Sequence, residues 1–168
     1  YEIVYKRIYD EKKNIICDYF MISDRTQEIQ SLKREKFKAS HDSLTQLLNS
    51  SCFYSEVSDI IHSNPDSRYY IMCTNVKDFK FVNELFGIKK GDEILKKEAE
   101  LIRNAAPDGG VCARLRGDRF AMFIKKDLFD ENKWINITKE LQYEFESNAF
   151  RLHVFAGVYE IDDPDEPV

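Results

Sequence analysis

The chain has 168 residues, 43% of them hydrophobic and 33% charged, with a formal charge of −5. That composition suits one globular domain with a single core, plus an appendage. The acidic balance provides no basic field for a phosphate backbone, so a nucleic acid polymer is excluded as a partner.

Residues 1 to 22 contain two β-like runs, Tyr1 to Tyr9 and Ile15 to Ile22, joined by a polar turn from Asp10 to Asn14. From Asp24 to His41 the chain is highly charged and free of Gly and Pro. There Ile29, Leu32 and Phe37 follow Ile22 roughly along one side of a helix. So thin a stripe fits a signalling linker or a paired helix, with a solvated connector as the alternative.

After Asp42 the texture is that of a compact α/β domain. Asn49 or Ser50 is placed to cap a helix running to about Ser63, and Asn64-Pro65-Asp66 ends it. Arg68 to Val76 is apolar enough for a strand buried on both faces. A short helix then runs through Leu85 and stops at Gly87, and Gly91-Asp92 opens a second helix. Its inner side carries Ile94, Leu95, Ala99, Leu101 and Ile102.

Pro107 to Gly110 reads as a turn. Val111 to Arg116 and Arg119 to Ile124 read as strands around Gly117-Asp118, since Gly accepts the positive φ of a two-residue hairpin. A helix over about Asp130 to Glu146 and a strand over Phe150 to Ile161 complete the pattern. Helices alternating with strands around a hairpin predict an α/β (α+β) fold of the ferredoxin-like kind, with helices packed on a mixed sheet.

Cys17, Cys52, Cys73 and Cys112 are scattered singly without a CxxC pair, and His41, His62 and His153 stand at no metal-ligand spacing. This usage fits reduced thiols in the cytosol. No run approaches the ~20 apolar residues of a membrane span, and no signal peptide opens the chain. A cytoplasmic excerpt of a longer protein is expected, with any membrane anchor outside these residues.

Three stretches carry a family resemblance. Asp42-Ser-Leu-Thr-Gln-Leu-Leu-Asn49 is similar to a DxLTxLxN motif. Asn75-Val-Lys-Asp-Phe-Lys-Phe-Val-Asn83 through Gly91-Asp92 is similar to DxDxFKxxND…GD. Arg114-Leu-Arg-Gly-Asp-Arg-Phe120 is similar to RxGGDEF. In order and at matching separations, they resemble the GGDEF family, the diguanylate cyclases, over Asp42 to Ile161.

The resemblance implies a nucleotide-cyclase fold with a mixed, mainly antiparallel sheet, and a substrate, GTP, two molecules of which are joined into cyclic di-GMP with Mg²⁺ or Mn²⁺. It puts the metal positions at Asn75, Val76 and Arg119. Nucleotide contacts fall at Phe79, Lys80, Asn83, Asp92 and Gly117, with Asn83 and Asp92 reading guanine.

The signature is degenerate, reading Arg116, Gly117, Asp118, Arg119 and Phe120. Asn offers one neutral oxygen and Arg no acceptor at all, and Lys77 adds a further cation. The expectation is therefore a domain without functional catalytic residues and with no cofactor, where Mg²⁺ or Mn²⁺ enters only if the site works.

Asp118 is expected to pair with the flanking Arg116 and Arg119. Two readings are open for these bases: they balance local acids, or with Lys77 they hold a phosphate in the metal's place near the N–H groups of Asp78 to Lys80. Two are open for Asn83 and Asp92 as well: base recognition, or a solvent-facing amide and a helix cap.

The family's inhibitory RxxD motif is replaced by Pro107 and Gly110, so feedback binding of cyclic di-GMP is not expected there. Residues 1–23 resemble the C-terminal hairpin of a PAS-like sensor domain, 24–41 a linker helix through which a homodimer would pair, and 42–168 the degenerate GGDEF domain. Gly157 to Pro164 resembles chains in which an EAL-type domain follows.

Overall fold

Within residues 69–76 the side chains alternate across the sheet, and both faces find a cover. We describe the fold from a computed structural model in which residues 1–145 and 151–161 are described. The chain divides into two units, Tyr1–Ala39 and Ser40–Val168.

The first unit holds the antiparallel strands β1 (Glu2–Tyr9) and β2 (Ile15–Ser23), followed by helix α1 (Thr26–Ser40), whose last residue belongs to the second unit. Arg7 and Asp18 form a bidentate pair across the hairpin at 2.7 and 2.9 Å. Ile3, Tyr5, Ile16, Phe20 and Ile22 stay exposed, as do Ile29, Leu32 and Phe37 on α1.

The second unit contains β3 (Leu48–Asn49), α2 (Ser50–Ser63), β4 (Tyr69–Val76), α3 (Phe79–Phe86) and α4 (Ile88–Ala105). The hairpin strands β5 (Val111–Arg116) and β6 (Arg119–Lys125), helix α5 (Glu131–Phe145) and β7 (Val154–Ile161) complete it. The sheet order is β3-β5-β6-β4-β7, antiparallel except for the β3–β5 pair. Its four long strands thus follow the ferredoxin-like arrangement, with two antiparallel partners flanking β4.

One face packs Met72, Val76, Phe120 and Met122 against Ile94, Leu95 and Ile102 of α4 and Trp134 and Leu141 of α5. The other sets Tyr69, Ala113, Ala121 and Phe123 against Phe53, Val57 and Ile61 of α2. Asn49 caps α2 by accepting from the Cys52 N–H at 3.0 Å.

Three details differ from the sequence reading. Helix α4 begins at Ile88, because Gly87 at φ +82° ends α3 and starts α4 in a single residue. Gly91 and Asp92 therefore lie inside α4, and Asp92 is not its cap. β3, only two residues long, adds a parallel rung that has no periodicity to reveal it. The expected last strand from Phe150 begins at Val154, Phe150 itself lying outside the described residues, as do Glu146 and Pro164.

Charge reaches the core at one place. Glu98 on the inner side of α4 is 1% exposed, and the Thr74 hydroxyl donates to its Oε1 at 2.5 Å. Burial pushes its carboxyl up to about 8; the Thr74 hydrogen bond and Arg114 oppose that rise, while Asp118 adds to it. The folded chain thus keeps a proton that the unfolded chain releases near 4.5. Between these values the unfolded state binds fewer protons, and stability falls as pH rises.

Glu98→Gln cannot ionise, and is expected to be roughly 4 kcal/mol more stable than wild type at pH 8 and similar near pH 4. Urea midpoints across that range measure the gap. Parallel profiles for the two proteins would mean that the buried acid is already ionised in the fold.

Candidate functional site

The hairpin between β5 and β6 is closed by Gly117 at φ +61° and Asp118, with Arg116 opposite Arg119. Phe120, fully buried, anchors its second strand in the core. Across β6, the β4 register pairs Asn75 with Arg119. The two positions compared with metal ligands are therefore direct neighbours, with Cβ atoms about 5 Å apart as for any antiparallel pair.

Both project from the sheet face that α2 covers further along. Beyond α2 that face is open, as a groove of about 410 Å³ lined by Cys73, Asn75, Leu115, Arg119 and Phe155 among others. Burial raises the Cys73 thiol, and the Arg119 guanidinium partly offsets the rise. This thiol is no poised nucleophile.

Asp118 corrects an expectation. It pairs with neither flanking arginine; its Oδ2 accepts the backbone N–H of Val76 at 3.0 Å, tying the turn to the end of β4. A carboxylate so aimed satisfies a backbone donor that β4 would otherwise leave at its terminus. Arg116, Arg119 and Lys77 are exposed and take part in no ion pair among the described residues.

The donor set does not fit paired divalent cations. Asn75 supplies at most one neutral oxygen and Arg119 only donors, so no carboxylate stands on this rung. Among the described residues, no cluster of three or more His, Cys, Asp or Glu is disposed to hold a metal ion.

A second corner adjoins the first. Asp78 adopts the left-handed region at φ +54°, turning the chain from β4 into α3. The N–H groups of Asp78, Phe79 and Lys80 then lead the helix without an acceptor among the described residues. Lys80 itself pairs with Glu84 at 3.7 Å.

Asn83 does not simply face solvent. An added Cβ at Gly91 would lie 2.0 Å from its Oδ1 and 3.1 Å from Phe79 Cζ, so the missing side chain at 91 is what admits the Asn83 carboxamide between α3 and α4. Asp92, half-buried, is the next residue along α4. The structure thus brings Phe79, Asn83 and Gly91 together, with Asp92 one residue further along α4.

Sequence reasoning missed the strut behind the hairpin. Arg114 is paired with Asp42 at 3.0 Å, and its Nε donates to the Gly117 carbonyl at 2.8 Å. Asp42 also accepts from the Thr45 N–H and hydroxyl at 2.9 and 2.8 Å. Burial works to raise the Asp42 carboxyl, but the Thr45 hydrogen bonds and Arg114 together hold it below the ordinary carboxylate range. Only the co-occurrence of Asp42 and Arg114 in two separate motifs hinted at the contact.

Comparison with known proteins agrees with the fold. The family model described as diguanylate cyclase, GGDEF domain, matches residues 39–158. The chain is 27% identical over 155 residues to the probable diguanylate cyclase DgcE of Escherichia coli K12, covering 88% of this chain and 14% of that protein. It is 28% identical over 125 residues to the diguanylate cyclase DgcM of the same strain, covering 73% of this chain and 30% of that one.

Among solved structures, the coiled coil and GGDEF domain of DgcB from Caulobacter crescentus, in complex with c-di-GMP, superposes with a TM-score of 0.69 at 20% identity. That match covers 84% of this chain and 78% of the other. Diguanylate cyclase SiaD of Pseudomonas aeruginosa, in complex with its activator SiaC, gives 0.62 at 18%, covering 85% and 58%. These two show likeness of fold.

Two variants test the supports. Arg114→Ala removes a mostly buried partner of Asp42 and frees the turn carbonyl, so a loss of about 2 kcal/mol is expected in urea unfolding at neutral pH. Gly91→Ala is expected to change stability by less than about 1 kcal/mol, since helix propensity gained offsets crowding. Its crystal structure should nonetheless show the Asn83 carboxamide rotated out. An unmoved Asn83 would mean that the glycine is not what admits it.

Proposed function

The chain belongs to the GGDEF family, and on that premise we propose that it is a catalytically inactive member that serves cyclic di-GMP signalling as a regulatory, GTP-sensing module for a neighbouring domain. The observation that carries the reading is the β4–β6 rung. Where a two-metal site would need carboxylates, Asn75 stands against Arg119. A permanent positive charge there repels a divalent cation and cannot ligate it.

Nucleotide binding is supported by the other corner. Asn83, held against Gly91, and Asp92 present an amide and a carboxylate to a guanine edge. The free N–H groups ahead of α3 favour a phosphate. In this reading Phe79, Lys80 and Gly117 are further nucleotide contacts.

Around the module, residues 1–23 are the end of a PAS-like sensor and 24–41 a linker through which two copies pair, supported by the exposed Ile29, Leu32 and Phe37. An EAL-type domain downstream is the neighbour that such a module would serve, in the cytoplasm. No described helix is long and apolar enough to cross a membrane.

The alternative reading is an active diguanylate cyclase, favoured by the cyclases it resembles and by the intact base corner. A third role, dimerisation without any ligand, would leave that corner unused.

Incubating the purified chain with GTP and Mg²⁺ or Mn²⁺ separates the first two. We expect no cyclic di-GMP above background by chromatography, together with measurable GTP binding by calorimetry. Product formation by the folded chain would establish the cyclase instead.

A further inference from the structure

The charge at the hairpin corner has a direction that the metal question alone does not exhaust. Resting on the nucleotide-binding reading above, we propose that this site takes a guanine nucleoside triphosphate in its metal-free form, and that Mg²⁺ weakens the binding instead of enabling it.

Three observations converge. Arg116, Arg119 and Lys77 surround the junction of β4 with the hairpin and have no acidic partner among the described residues. Elsewhere in the same unit, Lys90 pairs with Glu93, Lys97 with Glu100 and Lys126 with Glu160. In a chain with thirty Asp and Glu against twenty-five Lys and Arg, a cluster of three unneutralised bases is not enforced by composition.

One oxygen of the carboxylate within the cluster is committed elsewhere. Asp118 spends its Oδ2 on the Val76 N–H and forms no ion pair with either arginine, so a single carboxylate stands among three bases and the cluster keeps a net positive charge. The neutral Asn75 opposite Arg119 leaves the rung with a net positive charge.

The ligand's own charge then decides the sign. A nucleoside triphosphate carries about four negative charges when free and about two when Mg²⁺ is bound, so chelation halves its attraction to fixed cations. In a metal site the cation bridges phosphate and carboxylate. Here the bridge would press Mg²⁺ against Arg119, whose guanidinium can itself bond phosphate oxygens. The base corner, built from Asn83, Gly91 and Asp92, is indifferent to metal and holds the guanine in either case.

Calorimetry of the whole chain with GTP, in EDTA and in saturating MgCl₂, reads the sign directly. The dissociation constant should be about tenfold lower in EDTA. Arg119→Ala should raise the EDTA value about tenfold and bring the two conditions together. Lys77→Ala, at an exposed loop position, is expected to act in the same direction and covers the case of a misfolded Arg119 variant. The double change Asn75→Asp with Arg119→Glu should invert the order, so that Mg²⁺ strengthens binding.

Tighter binding in MgCl₂ by the wild-type chain would overturn this inference and leave the nucleotide-binding reading standing. Absence of heat in both buffers, with a cooperative thermal melt to show a folded chain, would remove the nucleotide reading and this inference with it.

Discussion

The antiparallel rung between β4 and β6 is the constraint on which the site depends. Strand register is set by the apolar alternation beneath it: Met72 against Met122, Thr74 against Phe120, and then Asn75 against Arg119. A slip of one residue would expose Phe120 and bury the arginine, so the core enforces the meeting of these two polar side chains. Whatever chemistry occupies that rung is imposed on the groove.

Below and behind it, polar ties stiffen the arrangement. Thr74 is linked to α4 through Glu98, Val76 to the turn through Asp118, and the turn to the Asp42 segment through Arg114. Each tie ends on a different element, so the strand terminus, hairpin and helix α4 are cross-linked by hydrogen bonds. Such support is indifferent to the identity of residues 75 and 119. A family scaffold can therefore persist while the electrostatic sign of its groove reverses.

Much of this was legible in the sequence. The Asn49 cap, the β4 run, the hairpin around Gly117 and the helix ending at Gly87 follow from local chemistry, and the structure has them. The two-residue β3 was not legible, because a parallel rung is made by its partner and not by its own pattern. Nor was the true role of Asp118: flanking arginines suggest ion pairs, whereas an unsatisfied backbone donor competed more successfully. Glu98 had a readable sign, a charge on the apolar stripe between Leu95 and Ala99, but its partner Thr74 lies 24 residues away and only folding joins them.

Gly87 fixes more than a bend. Because one residue both finishes α3 and launches α4, the corner contains no slack in which a length change can be absorbed. Adding or deleting a residue between Gly87 and Gly91 would turn Gly91 about 100° around the axis of α4, away from Asn83. Indels in this stretch should accordingly be purged from functional relatives even where substitutions accumulate freely, which makes the spacing itself a heritable trait.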